Sequence, residues 1–212
     1  MYRNTFLSVM FLACCFNGSL CAQSDAQIYE RTCDAKTYPF SDPTPVATPN
    51  NSYYPYFRFD GFSMQAQEKQ WKMVVLENDY VKLTVTPEIG GKIWGAIDKV
   101  NNKEFVYTNG VVKFRDVAMR GPWTSGGIEF NFGIIGHAPT CSTPIDYLTK
   151  KNVDGSVSCH IFSYEWITRT VWNVEINLPK DKAYFTTHTT WFNQSSICLL
   201  YTSPSPRDTE RS

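Results

Sequence analysis

The sequence predicts an all-β protein built as a large antiparallel β-sandwich, and three observations carry that prediction. Apolar and polar residues alternate with period two in one segment after another between residues 71 and 192, the pattern of half-buried strands. The alternating segments are rich in Val, Ile, Thr, Tyr, Phe and Trp and are separated by short Gly, Asn and Asp turns, as hairpin-connected strands require. No stretch in that region sustains apolar residues at i, i+3, i+4 and i+7, so almost no helix is expected.

Taken in order, residues 71–76 (Trp-Lys-Met-Val-Val-Leu) form a short apolar run, and residues 80–86 alternate cleanly. A third strand follows Gly90-Gly91 at residues 92–97, and Asn101-Asn102-Lys103 turns the chain into a fourth at 104–107. Further strands are expected at 111–114, 127–132, 145–150, 157–167, 169–178 and 183–192, with turns at Asp154-Gly155 and Lys180-Asp181. Many short strands with hairpin connections point to a sandwich.

Upstream, residues 23–70 are dense in Pro, Asn and Tyr (Tyr38-Pro39-Phe40, Asp42-Pro43-Thr44-Pro45, Tyr53-Tyr54-Pro55-Tyr56). Proline lacks a ladder donor, so this region is expected as an extended arm or wrapping loop. Residues 1–22 begin with Arg3, pass through an apolar run at 6–16 and end in Gly18-Ser19-Leu20-Cys21-Ala22. That order is expected of an export signal, and the run is too short to span a bilayer. Leu12-Ala13-Cys14 resembles a lipoprotein box, but so early a break favours cleavage near Ala22. At the other end, residues 198–212 can be written in codons that resemble a transposase adapter of shotgun sequencing libraries. They are expected to be non-native and without fold or function, with the natural chain continuing past Ile197 and the sandwich, over residues 71–197, incomplete at its C-terminus.

Setting aside Arg3, Arg207, Arg211, Asp208 and Glu210 leaves 17 basic against 18 acidic side chains. Such a balance argues against a nucleic-acid binder, which needs a basic surface to displace phosphate counterions. Aromatic residues make up 15% and charged residues 19%, which excludes a disordered tail or a coiled coil. Outside the leader and tail stand Cys33, Cys141 and Cys159. Export permits a Cys33–Cys141 or Cys141–Cys159 bridge, while buried free thiols are the simpler reading. There is no CxxC, HxH, HExxH, GxSxG, P-loop or dinucleotide spacing, so neither metal nor cofactor is expected.

The chemistry is concentrated in residues 120–139, where six of the residues from 121 to 136 are Gly or Pro. Between them stand Arg120, Trp123, Glu129, Asn131 and His137. A saccharide needs an aromatic plate against its C–H face and planar polar groups on its hydroxyls, and this segment supplies both. On a strand, Glu129 and Asn131 face one side while Phe130 and Phe132 face the other. His137 can carry a proton near neutral pH. His160 and His188 lie in alternating strands and read as surface or packing residues, and Trp166, Trp172 and Trp191 read as core or sheet-face aromatics. The competing reading pairs Arg120 with Glu129 and packs the rest.

Residues 76–93, 98–107 and 120–137, and above all Arg120-Gly121-Pro122-Trp123 and Gly126-Gly127-Ile128-Glu129-Phe130-Asn131-Phe132, resemble the bacterial domain-of-unknown-function family numbered 5107. The resemblance covers about residues 71–192 and implies a galactose mutarotase-like β-sandwich, common in exported proteins of carbohydrate-using bacteria. Residues 133–137 (Gly-Ile-Ile-Gly-His) are longer than the family's approach to its histidine. By resemblance, a general acid protonates the ring oxygen of an aldose while a carboxylate from a late strand removes the anomeric proton. His137 and Glu129 are then the catalytic candidates, and Arg120, Trp123 and Asn131 the substrate-binding ones. Without the late strand this fragment would be inactive, and Glu129 would bind hydroxyls or orient another group. The expectation is an exported, periplasmic or surface-located carbohydrate-binding domain, either an epimerase or a glycosidase-associated module. Its rivals are a non-catalytic sandwich supporting a missing C-terminal catalytic or repeat domain, and an assembly module binding protein through the Pro/Tyr-rich arm.

Overall fold

The computed structural model describes residues 24–40, 43–44, 56–57, 62–116, 122–132, 137–165, 169–194 and 196. Among the described residues fourteen strands run in chain order: β1 (Gln27–Tyr38), β2 (Pro43–Thr44), β3 (Tyr56–Phe57), β4 (Gln67–Glu77), β5 (Val81–Thr86), β6 (Lys92–Asp98), β7 (Lys103–Val106), β8 (Val112–Lys113), β9 (Arg115–Asp116), β10 (Pro122–Trp123), β11 (Asp146–Lys151), β12 (Val157–Glu165), β13 (Thr170–Leu178) and β14 (Thr186–Asn193). Two 3₁₀ turns, Pro87–Ile89 and Pro139–Cys141, are the helical elements among the described residues. None is long and apolar enough to cross a membrane. The protein is all-β, as its alternation predicts.

Two sheets dominate. One has six strands in the order β7-β6-β5-β4-β1-β8, and the other has four in the order β11-β12-β13-β14. The main core lies between them. Val74, Leu76, Leu83, Val85 and Ile93 from the first sheet meet Ile161, Trp172, Val174, Ile176 and Leu178 from the second, all fully buried. β4 is covered on both faces, since Trp71 and Met73 enter a second cluster with Ile89, Trp94, Val112 and Phe114. A strand buried on both sides reads as a continuous apolar run, which is what residues 71–76 are.

The N-terminal region corrects the expectation of an arm across 23–70. β1 pairs antiparallel with β4 along eleven residues, from Gln27↔Glu77 to Thr37↔Gln67, and parallel with β8 on its other side. The reason is local. Residues 24–38 contain no proline, and the first, Pro39, stands just past the strand's end, so the ladder is complete before proline could interrupt it. The span 45–55 lies outside the described residues.

The connection from β7 to β8 shapes the six-stranded sheet. These strands occupy its opposite edges, five inter-strand spacings apart, about 24 Å if the sheet were flat. Only six Cα steps separate Val106 from Val112, which reach at most about 22 Å fully extended. The sheet must therefore curl toward that connection. The strap of residues 107–111 crosses the face that carries the second apolar cluster.

One polar side chain ties the two sheets together. Asn78 is buried, and its amide nitrogen donates to the carbonyls of Pro179 (2.7 Å) and Lys182 (2.8 Å) in the turn before β14. Its oxygen accepts from the backbone N–H of Tyr80 and Val81. Replacing Asn78 by alanine removes the partner of two part-buried carbonyls, of the part-buried Tyr80 N–H and of the buried Val81 N–H, at about 1–3 kcal/mol for each group left unpaired away from water. Asn78→Ala is expected to lower the unfolding free energy by about 2–4 kcal/mol in urea titration. A loss under about 1 kcal/mol, within reach of an ordinary surface change, would contradict the staple.

Candidate functional site

The candidate site grows out of Gly126-Gly127. Both have positive φ (78° and 67°). A Cβ at Gly127 would lie 2.3 Å from the Ile93 carbonyl oxygen, so only glycine lets the chain pass this close to β6. The strap holds the same place from the other side: Gly127 N–H donates to the Tyr107 carbonyl (2.9 Å) and Asn109 Nδ2 donates to Ser125 Oγ (2.6 Å). Ile128 then exchanges two backbone bonds with Ile93. That isolated bridge is the whole of the regular pairing where a strand at 127–132 is expected. Left-handed glycines at its start turn the segment away from a continuous ladder, but the alternation survives. Ile128, Phe130 and Phe132 pack on the inter-sheet core, and Phe132 stacks on Trp172 with centroids 4.6 Å apart.

Glu129 and Asn131 point the other way and meet His137. Glu129 Oε1 accepts from Asn131 Nδ2 (2.7 Å) and lies 2.7 Å from His137 Nδ1. An ionised carboxylate can only accept, so against it Nδ1 is the donor and Nε2 is the remaining ring nitrogen. Nε2 has no partner among the described residues. Asn131 Oδ1 accepts from the backbone N–H of His137 (2.6 Å) and of Ala138 (3.2 Å), and the Cys141 thiol lies 3.0 Å away. These bonds hold His137 in a left-handed conformation, φ 58°, which is uncommon outside glycine and persists where its surroundings over-determine it. Trp123, on β10, meets the His137 ring nearly edge-on, with centroids 5.9 Å apart and planes at 67°.

The structure thus brings Trp123, Glu129, Asn131 and His137 together, while Arg120 lies outside the described residues, as does its pairing with Glu129. The His137 side chain is 29% exposed and that of Glu129 11%, so the imidazole faces solvent and the carboxylate sits behind it. The Asn131 carbonyl oxygen builds the turn that carries His137, while its exposed amide nitrogen spends one hydrogen on Glu129 and keeps the other.

Sequence reasoning missed Lys92. Its side chain is buried at the start of β6, where Nζ donates to the Thr124 carbonyl and to Thr124 Oγ1 (3.1 Å). Burial pushes its pKa below the ordinary lysine value, and the negative field of Glu129 opposes that shift. Glu129 Oε2 is buried with no hydrogen-bond partner among the described residues. The available clue was a lysine directly after Gly90-Gly91 and before an apolar strand.

Cys141 is buried against the same loop, and desolvation together with Glu129 raises its thiol pKa far above normal. Cys159 is pushed up to about 12 by burial. Neither is a reactive thiol, and Cys33, Cys141 and Cys159 form no disulfide. His160 is partly exposed beside Glu175 (3.7 Å), and His188 stands opposite Glu175 on β14. Trp172 is core and Trp191 is half exposed on the sheet, whereas Trp166 lies outside the described residues. Among the described residues no group of three His, Cys, Asp or Glu is arranged to hold a metal.

An all-β sandwich carrying a Glu-oriented histidine on a glycine-bracketed loop defines the class. Its family follows from comparison: residues 48–206 match the family described as "Domain of unknown function (DUF5107)", and the chain belongs to that family. Among solved structures it is similar to a TPR-domain containing protein from Parabacteroides distasonis, with a TM-score of 0.72 and 25% identity over 80% of this chain. The chain spans 29% of that protein's length.

The Lys92 shift sets a pH signature. In the folded state its pKa is lowered, so between that value and 10.5 the unfolded chain holds more protons and stability rises with pH. The stability of wild type relative to Lys92→Met is expected to increase as pH climbs through the alkaline range toward 10.5, measured by urea titration at a series of pH values. A difference that stays flat would mean that Lys92 is not desolvated.

Proposed function

We propose that this protein is an exported carbohydrate-binding domain with a mutarotase-like sandwich, and that a saccharide is received where Trp123 and His137 open to solvent. One observation carries the reading most directly. His137 is fixed through Nδ1 by Glu129 at 2.7 Å, its ring lies edge-on to the part-buried Trp123 side chain, and Nε2 has no partner among the described residues. An imidazole held this way accepts from a sugar hydroxyl through Nε2 and, once protonated, donates to a ring or hydroxyl oxygen. Trp123 would cover the C–H face of the sugar. Export is inferred from the basic start and short apolar run of residues 1–22.

Glu129 is committed to His137, so it serves as the positioning carboxylate. Removal of an anomeric proton needs a further base, which the cluster of described residues does not contain. The reading supported best is therefore saccharide binding, with epimerisation requiring a carboxylate from elsewhere. A second reading, a non-catalytic sandwich that supports a repeat domain, is favoured by the TPR-domain protein of which this chain matches 29%. TPR units are helical repeats, so there a sandwich would be a partner fold to a solenoid.

Glycan-array binding of wild type against Trp123→Ala tests the site. A loss of about tenfold or more in affinity is expected, on the order of 1.4 kcal/mol. Equal signals would remove the sugar site and leave the supporting-module reading. Polarimetry of a freshly dissolved aldose separates binding from catalysis: binding without accelerated mutarotation is expected of this chain.

A further inference from the structure

The curl of the six-stranded sheet encloses a cavity of about 240 Å³ beneath the strap, on the face turned away from the four-stranded sheet. None of Trp123, Glu129, Asn131 or His137 lines it. Its floor is apolar, formed by Met73, Trp94, Ile97 and Val112, and its roof is the strap at Thr108, Asn109 and Gly110. Small-ligand sites combine such an apolar lining with a few convergent polar groups, so the question is which polar groups remain uncommitted.

Most of the charged ones are occupied. Lys82 is held by Glu77 at 3.3 Å, Asp34 accepts from Gln70 Nε2 at 3.3 Å, and Glu104 accepts from the Thr108 N–H at 3.4 Å. Arg31 differs. It lines the cavity from β1, is exposed, and makes no ion pair or hydrogen bond among the described residues. The hydroxyls of Thr84 and Thr108 are likewise uncommitted among those residues. They lie close together, because Thr84 is paired with Gly95 and a Cβ on Gly95 would fall 2.0 Å from Thr108 Oγ1. In register, Arg31 pairs with Met73, and Val75 pairs with Thr84. The arginine is thus two strands away and one pleat along from the threonines, about 12 Å between backbones.

We propose that this cavity is a second ligand site and that it takes a small carboxylate with a C–H-rich body, of which a uronic acid is the fitting example. Arg31 forks onto the carboxylate, which a guanidinium matches bidentately. Trp94 and Met73 receive the apolar face, and Thr84 and Thr108 take hydroxyls at the far end. The site stands apart from the Trp123–His137 cluster and does not depend on it.

The test is calorimetric titration of the full chain with glucuronate, with glucose as the same ring without the carboxylate, and with hexanoate as a carboxylate without the ring. Glucuronate is expected to bind about tenfold or more tightly than glucose. In a Trp123→Ala background, which removes the first saccharide site, Arg31→Gln, a change at an exposed residue that leaves the melting curve in place, is expected to weaken glucuronate by a similar factor. Hexanoate as tight as glucuronate would assign the site to aliphatic acids, and weaker hexanoate to sugar acids; both keep the carboxylate anchor. Absence of carboxylate binding up to about 10 mM, the weak end of small-ligand affinity, overturns the proposal. So does glucuronate binding to the Trp123→Ala protein, whose first site is disabled, that survives the addition of Arg31→Gln.

Discussion

A chain of six Cα steps must reach from one edge of a six-stranded sheet to the other, and it is too short to do so across a flat one. Twist alone gives a sheet some coil, but the strap between β7 and β8 sets which way it closes. Once the sheet curls, one face becomes convex and packs on the four-stranded sheet through Leu76, Leu83, Ile161 and Trp172. The other becomes a hollow with Trp94 in its floor. A single connection thereby separates a structural face from one with room for a ligand.

The same strap organises the candidate site. Tyr107 and Asn109 reach out to Gly127 and Ser125, and the glycines allow the chain to lie against Ile93 and over the Lys92 side chain. From there the alternation of residues 128–132 sends three apolar side chains into the core and two polar ones toward His137. Packing by Phe132 on Trp172 fixes the register, and a one-residue slip would bury Glu129 and expose the phenylalanines. The geometry of the Glu129–His137 pair is therefore set by an apolar contact on the opposite side of the backbone.

Much of this was legible in the sequence, for a physical reason. Strands with one buried face announce themselves by alternation, and β5, β12 and β13 stand where period two places them. Positive-φ glycines at 126 and 127 were legible as a place of close approach. β1 was obscured because Pro39 and its successors coloured the composition of their neighbours, although residues 24–38 hold no proline. The segment 127–132 shows the opposite error: alternation reports which face is buried, not whether a partner strand is present to complete a ladder. Lys92 was hidden because its role comes from Thr124, thirty-two residues away, and from the field of Glu129.

The division of labour within the cluster follows from counting acceptors. Asn131 has one carbonyl oxygen, and two backbone N–H groups with the Cys141 thiol converge on it. That convergence offsets the cost of a non-glycine residue at φ 58°, of order 1–3 kcal/mol. Glu129 spends one oxygen on His137 and Asn131 and leaves the other buried and unpaired by hydrogen bonds among the described residues, in a region where the buried ammonium of Lys92 contributes the opposing charge. Neither carboxylate oxygen is placed to take a proton from a ligand in bulk solvent. The network thus presents the His137 ring, 29% exposed, beside the exposed Asn131 amide, and the orientation of that imidazole is determined by the buried residues behind it.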